Sequence, residues 1–290
     1  MEIIIGKTAG FCYGVKRAVD GSLEQIKQDK KVYCLGELVH NKQVIDKLKN
    51  IGIEIIEKIE DVKEMNSKVI IRAHGVEKNI YEKARKEQLE LVDYTCPNVL
   101  KIHKIADEYA KNGYYIFLTG AEKHPEVIGI ISYCGDKFSL IESEEDVEVA
   151  IEKFRKEDIR KLLIISQTTY SVNKFKKITN MIKDKIEGDV DLVVKNTICL
   201  ATESRQKETK ELSTKVDFMI IIGGKNSSNT RKLYEIAKQN SKDAILIENS
   251  EEAIESLREK DLSEIKKIGI MAGASTPSES IEEVVNIFKQ

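Results

Sequence analysis

No apolar run in this 290-residue chain approaches the length of a membrane span, and the opening Met1-Glu2-Ile3-Ile4-Ile5-Gly6 is too short for the apolar region of a signal peptide. The expectation is a cytoplasmic protein without a membrane partner. Neither sign of charge dominates, with 47 Lys and Arg against 49 Asp and Glu, so no basic footprint for nucleic acid is present. There is no Cys-x-x-Cys pair, which removes local support for a zinc ribbon or a thioredoxin-like site. The five cysteines, Cys12, Cys34, Cys96, Cys134 and Cys199, are an odd set without a secretory signal and argue against a disulfide framework. Any metal site must therefore be assembled from distant parts of the chain. Proline is scarce: Pro97, Pro125 and Pro277 are the whole set, each just after a candidate strand, where the first position of a helix accepts the missing N–H.

What is present is an alternation of short β-branched runs with amphipathic stretches, the pattern of βαβ units and parallel sheets, so the fold class is α/β. Strands are predicted at residues 2–6, 31–35, 68–72, 89–94, 114–119, 161–166, 190–195, 217–223, 244–248 and 267–272. The Lys- and Glu-rich segments 142–158 and 250–264 read as solvated helix faces. An internal repeat organises the rest. Cys12, Cys96 and Cys199 each follow a strand and precede a helix; 24 positions beyond each lies a glycine (Gly36, Gly120, Gly223), and 28 beyond each a polar residue (His40, His124, Ser227). A second polar strand end follows in each copy: Ala73-His74-Gly75, Gln167-Thr168-Thr169 and Gly273-Ala274-Ser275. Three similar units with pseudo-threefold packing are expected. Ligands bind beyond the carboxyl ends of strands in such sheets, which makes these loops the place to look for function.

Thiolates suit iron-sulfur clusters, zinc or cuprous copper, and a cubane cluster normally takes four cysteines. With three related cysteines, a 4Fe-4S cluster would keep one iron open as a Lewis acid. An isolated cysteine is more often a buried core residue; the threefold spacing favours ligation for Cys12, Cys96 and Cys199, while Cys34 and Cys134, outside the repeat, keep the core role. Three of the four histidines, His40, His74 and His124, fall in the strand-end loops. With Thr168, Ser227, Ser228, Asn229 and Ser275 they offer many donors to a diphosphate. Residues 223–229 do not match the phosphate-loop pattern, so no nucleotide fold follows from them. Glu126 is the one carboxylate set in this constellation. Enclosed beside an anion it would favour its protonated form and serve as a proton donor; the alternative is a helix N-terminal glutamate held by the helix dipole.

Gly10-Phe11-Cys12-Tyr13-Gly14-Val15, Val39-His40-Asn41, Ala73-His74-Gly75-Val76, Thr95-Cys96-Pro97, His124-Pro125-Glu126, Gln167-Thr168-Thr169, Ile198-Cys199, Lys225-Asn226-Ser227-Ser228-Asn229 and Ala272-Gly273-Ala274-Ser275 resemble, in order, the motifs of the hydroxymethylbutenyl diphosphate reductase family, also called LytB. The match runs over nearly the whole chain. The resemblance implies a trefoil of three α/β domains, here 14–96, 97–193 and 1–13 plus 194–290, around a 4Fe-4S cluster held by Cys12, Cys96 and Cys199. It implies a substrate diphosphate bound by His40, His74, Ser227, Ser228, Asn229 and Ser275, with His124 and Thr168 at the reacting end and Glu126 supplying protons. The implied reaction is the two-electron reductive dehydroxylation of an allylic diphosphate, the last step of the non-mevalonate isoprenoid pathway, with ferredoxin or flavodoxin as electron donor. Two departures stand out: Leu200 follows the third cysteine in place of an aromatic residue, and Asn98 follows Cys96-Pro97 in place of an apolar one. The expectation is that no RNA-binding domain, present in some family fusions, follows the third unit.

Three rivals fit parts of this pattern. A three-cysteine enzyme resembling quinolinate synthase would be expected to carry arginine forks for a dicarboxylate rather than a histidine and serine cage. A non-catalytic iron-sulfur redox sensor would leave Glu126 and the cage without work. A zinc-stabilised structural protein would bind zinc without iron.

Overall fold

The computed structural model describes residues 1–27, 31–64, 66–258, 260 and 263–289. Among the described residues the chain forms, in order, β1 (Glu2–Ile5), α1 (Tyr13–Ile26), β2 (Val32–Leu35), α2 (Lys42–Asn50), β3 (Glu54–Ile56), β4 (Lys68–Ile71), α3 (Lys78–Lys86), β5 (Glu90–Asp93), α4 (Pro97–Lys111), β6 (Tyr115–Thr119), α5 (Pro125–Ile131) and β7 (Phe138–Ile141). It continues through α6 (Asp146–Lys156), β8 (Lys161–Ser166), α7 (Val172–Lys185), β9 (Asp191–Val194), α8 (Leu200–Ser213), β10 (Phe218–Ile222), α9 (Ser228–Asn240), β11 (Asp243–Ile247), α10 (Ser250–Arg258), β12 (Lys267–Ala272) and α11 (Ser278–Ile287). No helix among the described residues is long and apolar enough to cross a membrane.

The strands make three four-stranded sheets, β3-β2-β4-β5, β7-β6-β8-β9 and β11-β10-β12-β1, and every pairing is parallel. The order is the same in all three. The first strand of each unit lies inside, the second forms one edge, and the third and fourth continue on the other side; in the third sheet the N-terminal β1 takes the fourth place. Both faces of the central strands are buried, as parallel sheets require. In β6 and β8, Phe117, Leu162 and Ile164 enter one core cluster, while Ile116, Leu118, Leu163 and Ile165 enter another. In β10, Phe218, Ile220 and Ile222 face one cluster, while Met219 and Ile221 face the other. Each such side chain contributes about 1.5–3 kcal/mol by leaving water.

Chain contacts group these elements into two compact units, residues 1–19, 39–51 and 200–290 in one, and 20–38 and 52–199 in the other. The first holds the β11-β10-β12-β1 sheet together with α2, and the second holds the remaining two sheets. Gly36, Gly120 and Gly223 directly follow β2, β6 and β10, and each donates its N–H to the carbonyl that ends the neighbouring edge strand, Ile56, Ile141 and Ile247. The spacing read from the sequence thus corresponds to one repeated turn.

Two strands escaped the sequence reading, β3 and β7. Both are short edge strands with one neighbour, and neither carries the continuous β-branched run that marks a central strand. Pro97 and Pro125 occupy the first positions of α4 and α5 as expected, but Pro277 is the N-cap of α11, one residue earlier. Its extended ψ of 154° is a cap geometry, and a cap N–H needs no helical acceptor either. The segment expected to be helical at 250–264 is so over α10; residues 259, 261 and 262 lie outside the described residues.

Candidate active site

The repeat places its three cysteines in equivalent settings. Cys96 is the N-cap of α4, and Cys12 and Cys199 immediately precede α1 and α8. Each cysteine N–H donates to a carbonyl in the loop after the adjacent strand of the sheet it leaves, which is the second strand-end loop of another copy of the repeat: Cys12 to Ala274 at 3.1 Å, Cys96 to Ala73 at 3.0 Å and Cys199 to Thr168 at 3.1 Å. Those acceptors belong to the loops that carry Ser275, His74 and Thr168. None of the five cysteines is in a disulfide; Cys12, Cys96 and Cys199 are half-buried, whereas Cys34 and Cys134 are buried. Burial pushes the Cys34 and Cys134 thiols up to about 12, and their sulfurs donate to the carbonyls of Gly36 and Ile130. These two are core residues. Cys12, Cys96 and Cys199 thus each place a half-buried thiol, a soft metal donor, at a helix start.

In the larger compact unit Glu126 lies in the first turn of α5 and is 2% exposed. Its two oxygens accept from the Thr168 N–H at 2.6 Å and the Thr168 hydroxyl at 2.7 Å. Burial raises its carboxyl to about 7; the two Thr168 hydrogen bonds work in the opposite direction and only partly offset the desolvation. The helix-dipole alternative would have left the group ionised well below neutrality, so the environment favours the proton donor. His124 caps α5, its Nδ1 accepting from the Glu126 N–H at 3.1 Å. With Nδ1 an acceptor, a neutral His124 carries its proton on Nε2, where it can donate. The His74 ring stands edge-on to His124 with centroids 5.4 Å apart.

Gln167 of the polar strand end and Thr197, to which the sequence pattern assigns no role, hold this group together. Gln167 Oε1 accepts from the Ala121 N–H at 3.2 Å and its Nε2 donates to Thr169 Oγ1 at 2.9 Å, which ties the loop before His124 to the loop of Thr168. The Thr197 hydroxyl accepts from the Ser166 N–H at 2.8 Å and donates to the Ser166 carbonyl, anchoring the segment that leads to Cys199. Neither residue recurs in the repeat, so spacing could not reveal it. The signal available was a polar residue inside a strand-end loop.

In the other unit Ser275 Oγ donates to the His40 carbonyl at 3.0 Å, joining two of the expected site residues. Ser227 caps α9, its Oγ accepting from the Thr230 N–H at 3.3 Å, which leaves the hydroxyl hydrogen available to an anion. Ser228 and Asn229 form the first turn of α9; Asn229 is 4% exposed and its Nδ2 has no hydrogen-bond partner among the described residues. A buried amide donor left over at a helix start is what an anion site requires. A Cβ at Gly224 would lie 2.6 Å from the His40 carbonyl oxygen, so only glycine allows this loop approach. Lys225 points elsewhere, to Glu252 at 2.8 Å.

A family profile described as LytB protein matches residues 3–289. The chain belongs to the LytB family. Relatives include the 4-hydroxy-3-methylbut-2-enyl diphosphate reductase of Caldanaerobacter subterraneus subsp. tengcongensis, 41% identical over 293 residues, with 100% of this chain and 97% of that protein covered. A solved structure of (E)-4-hydroxy-3-methyl-but-2-enyl diphosphate reductase, named the terminal enzyme of the non-mevalonate pathway, is 40% identical with a TM-score of 0.70, covering 100% of this chain and 99% of that one. The Plasmodium falciparum E-1-hydroxy-2-methyl-but-2-enyl-4-diphosphate reductase is 30% identical with a TM-score of 0.88, covering 100% and 88%. Within the LytB family the two departures lie on the surface: Leu200 is 78% exposed and Asn98 is exposed.

Proposed function

We propose that this LytB-family chain is a 4-hydroxy-3-methylbut-2-enyl diphosphate reductase, which reduces its substrate to isopentenyl and dimethylallyl diphosphate with loss of the hydroxyl as water. The observation that carries the reading is the chain Glu126–Thr168–Cys199, in which a buried carboxyl near neutrality is hydrogen-bonded to a residue whose carbonyl fixes a cysteine N–H. Cys12, Cys96 and Cys199 would hold one 4Fe-4S cluster, leaving one iron open. When bound, that cluster supplies the two electrons and a Lewis acid for the departing hydroxyl.

The protein's own residues bind, orient and move protons. Ser227, Ser228, Asn229, Ser275, His40 and His74 hold the diphosphate by donated hydrogen bonds, which positions the allylic carbons without a metal or lysine clamp. His124, with its proton on Nε2, donates at the reacting end. Glu126 releases its proton toward the substrate through the Thr168 hydroxyl, whose oxygen lies 2.7 Å from the carboxylate. The balance is two electrons and two protons per hydroxyl removed. A ferredoxin or flavodoxin is the electron donor in this reading, and the domains are 14–96, 97–193 and 1–13 plus 194–290, arranged as a pseudo-threefold trefoil around the cluster. The identical strand order of the three sheets supports the last point.

Product analysis tests the proposal. Anaerobically reconstituted protein with a reduced viologen dye should convert the hydroxylated allylic diphosphate to five-carbon diphosphates lacking the hydroxyl, identified by mass spectrometry. Iron bound with no such products would sink it.

A further inference from the structure

The segment that delivers Cys12 is braced by different side chains from its two counterparts. The Cys96 segment carries an internal brace, Asp93 Oδ1 accepting from the Thr95 N–H at 2.8 Å. The Cys199 segment carries one too, Asn196 Oδ1 accepting from the Ile198 N–H at 3.1 Å, and is also tied to β8 through Thr197 and Ser166. Between β1 and Cys12 the bracing side chains come from about 200 residues away. Glu208 on α8 accepts from the Lys7 N–H at 2.7 Å, from the Thr8 N–H at 2.8 Å and from the Thr8 hydroxyl. Arg205, 4% exposed and three residues earlier on the same helix face, donates from Nη2 to the Gly10 carbonyl at 2.6 Å. Gly10 has a φ of +99°, a conformation that a side chain would strain.

Packing holds this segment at Ala9, which lies against the core of its own sheet, while Lys7 is exposed. The outer side of the loop opens on a cleft of about 550 Å³ lined by Gly6, Lys7, Thr8, Lys207 and Glu208 among others. Burial works to raise the Glu208 carboxyl, but the Thr8 and Lys7 hydrogen bonds outweigh it and hold the group below its ordinary value, so the acceptor is an ionised carboxylate. Hydrogen bonds to an ionised group are the stronger kind.

We propose that Glu208, assisted by Arg205, is the positioning residue for Cys12, fixing the 6–12 segment so that this thiol is presented to the cluster. The proposal rests on the reading of Cys12 as a cluster ligand. Glu208 touches neither substrate nor metal; it acts through the Lys7 and Thr8 amides.

The test follows thiol accessibility in the full-length protein. In cluster-free protein, Glu208→Ala should raise the alkylation rate of Cys12, read peptide by peptide, about tenfold, with Cys96 and Cys199 changing less than about twofold. Glu208→Gln, which keeps one acceptor oxygen, should fall between, and Thr8→Val, which removes one donor of three, should move Cys12 the same way by less. In reconstituted protein, iron should pass to a chelator faster from Glu208→Ala than from wild type. An unchanged Cys12 rate, or a parallel rise at all three cysteines, would overturn the proposal. Wild-type protein supplies the separate control: iron and sulfide must protect all three thiols. Failure there removes the cluster reading, whereas protection in wild type with an unmoved Cys12 in Glu208→Ala removes only the role of Glu208.

Discussion

Glu126 holds a proton under conditions where an exposed glutamate would not, and the consequence can be read without turnover. Below its ordinary value of 4.5 it is protonated in folded and unfolded chains alike, so it imposes no cost. As pH rises the unfolded chain ionises first, and the stability this group confers in its protonated form is lost progressively up to the folded value of about 7. Glu126→Gln removes that dependence. Denaturant titrations of cluster-free protein should show the variant gaining about 2–3 kcal/mol on wild type between pH 5 and pH 8; parallel curves would mean that Glu126 is not buried as an acid. Cys34 and Cys134 give the complementary prediction at this scale. With thiols near 12 and no place at a helix start, their joint replacement by alanine should leave bound iron per chain unchanged, and a loss of iron would mean that the ligand set is wrong. The candidate site residues stand out in the sequence because they recur at fixed offsets or in motifs. Thr197, Arg205 and Glu208 do not, and Gln167 stands in a motif without its bracing role being readable, since a polar side chain that braces a loop carries no periodic signal.

At the scale of elements, the shared device is a strand-loop-helix in which the cysteine N–H donates to the loop that ends the adjacent strand of the same sheet. The cysteine loops and the loops bearing His74, Thr168 and Ser275 are thus tied pairwise by backbone. Hydrogen exchange should find the amides of Cys12, Cys96 and Cys199 protected at least about tenfold beyond exposed loop amides; free exchange at all three would contradict the geometry. The central strands were readable as apolar β-branched runs because parallel strands bury both faces. The edge strands β3 and β7 were not, because a three- or four-residue segment with one neighbour needs little apolar content and its pairing is decided by tertiary context.

For the whole molecule, three sheets with one strand order come from a sequence in which two offsets each occur three times, although residue identity between the copies is weak. What the repeat preserves is position: a thiol before a helix, a glycine after the next strand and polar residues at the strand ends. What differs among the copies is chemistry. His40, His124 and Ser227 occupy the same offset, and among the described residues only the second copy adds a buried carboxyl. The repeat therefore sets one buried carboxyl apart, the group that the proposed function uses as its proton donor. The most direct test compares wild type with Glu126→Gln in anaerobic, substrate-dependent oxidation of reduced viologen, with iron content and substrate binding measured in parallel. The account predicts equal iron, retained binding and turnover lowered by about 10²–10⁴ in the variant. Near-normal turnover would contradict it and remove Glu126 from the mechanism.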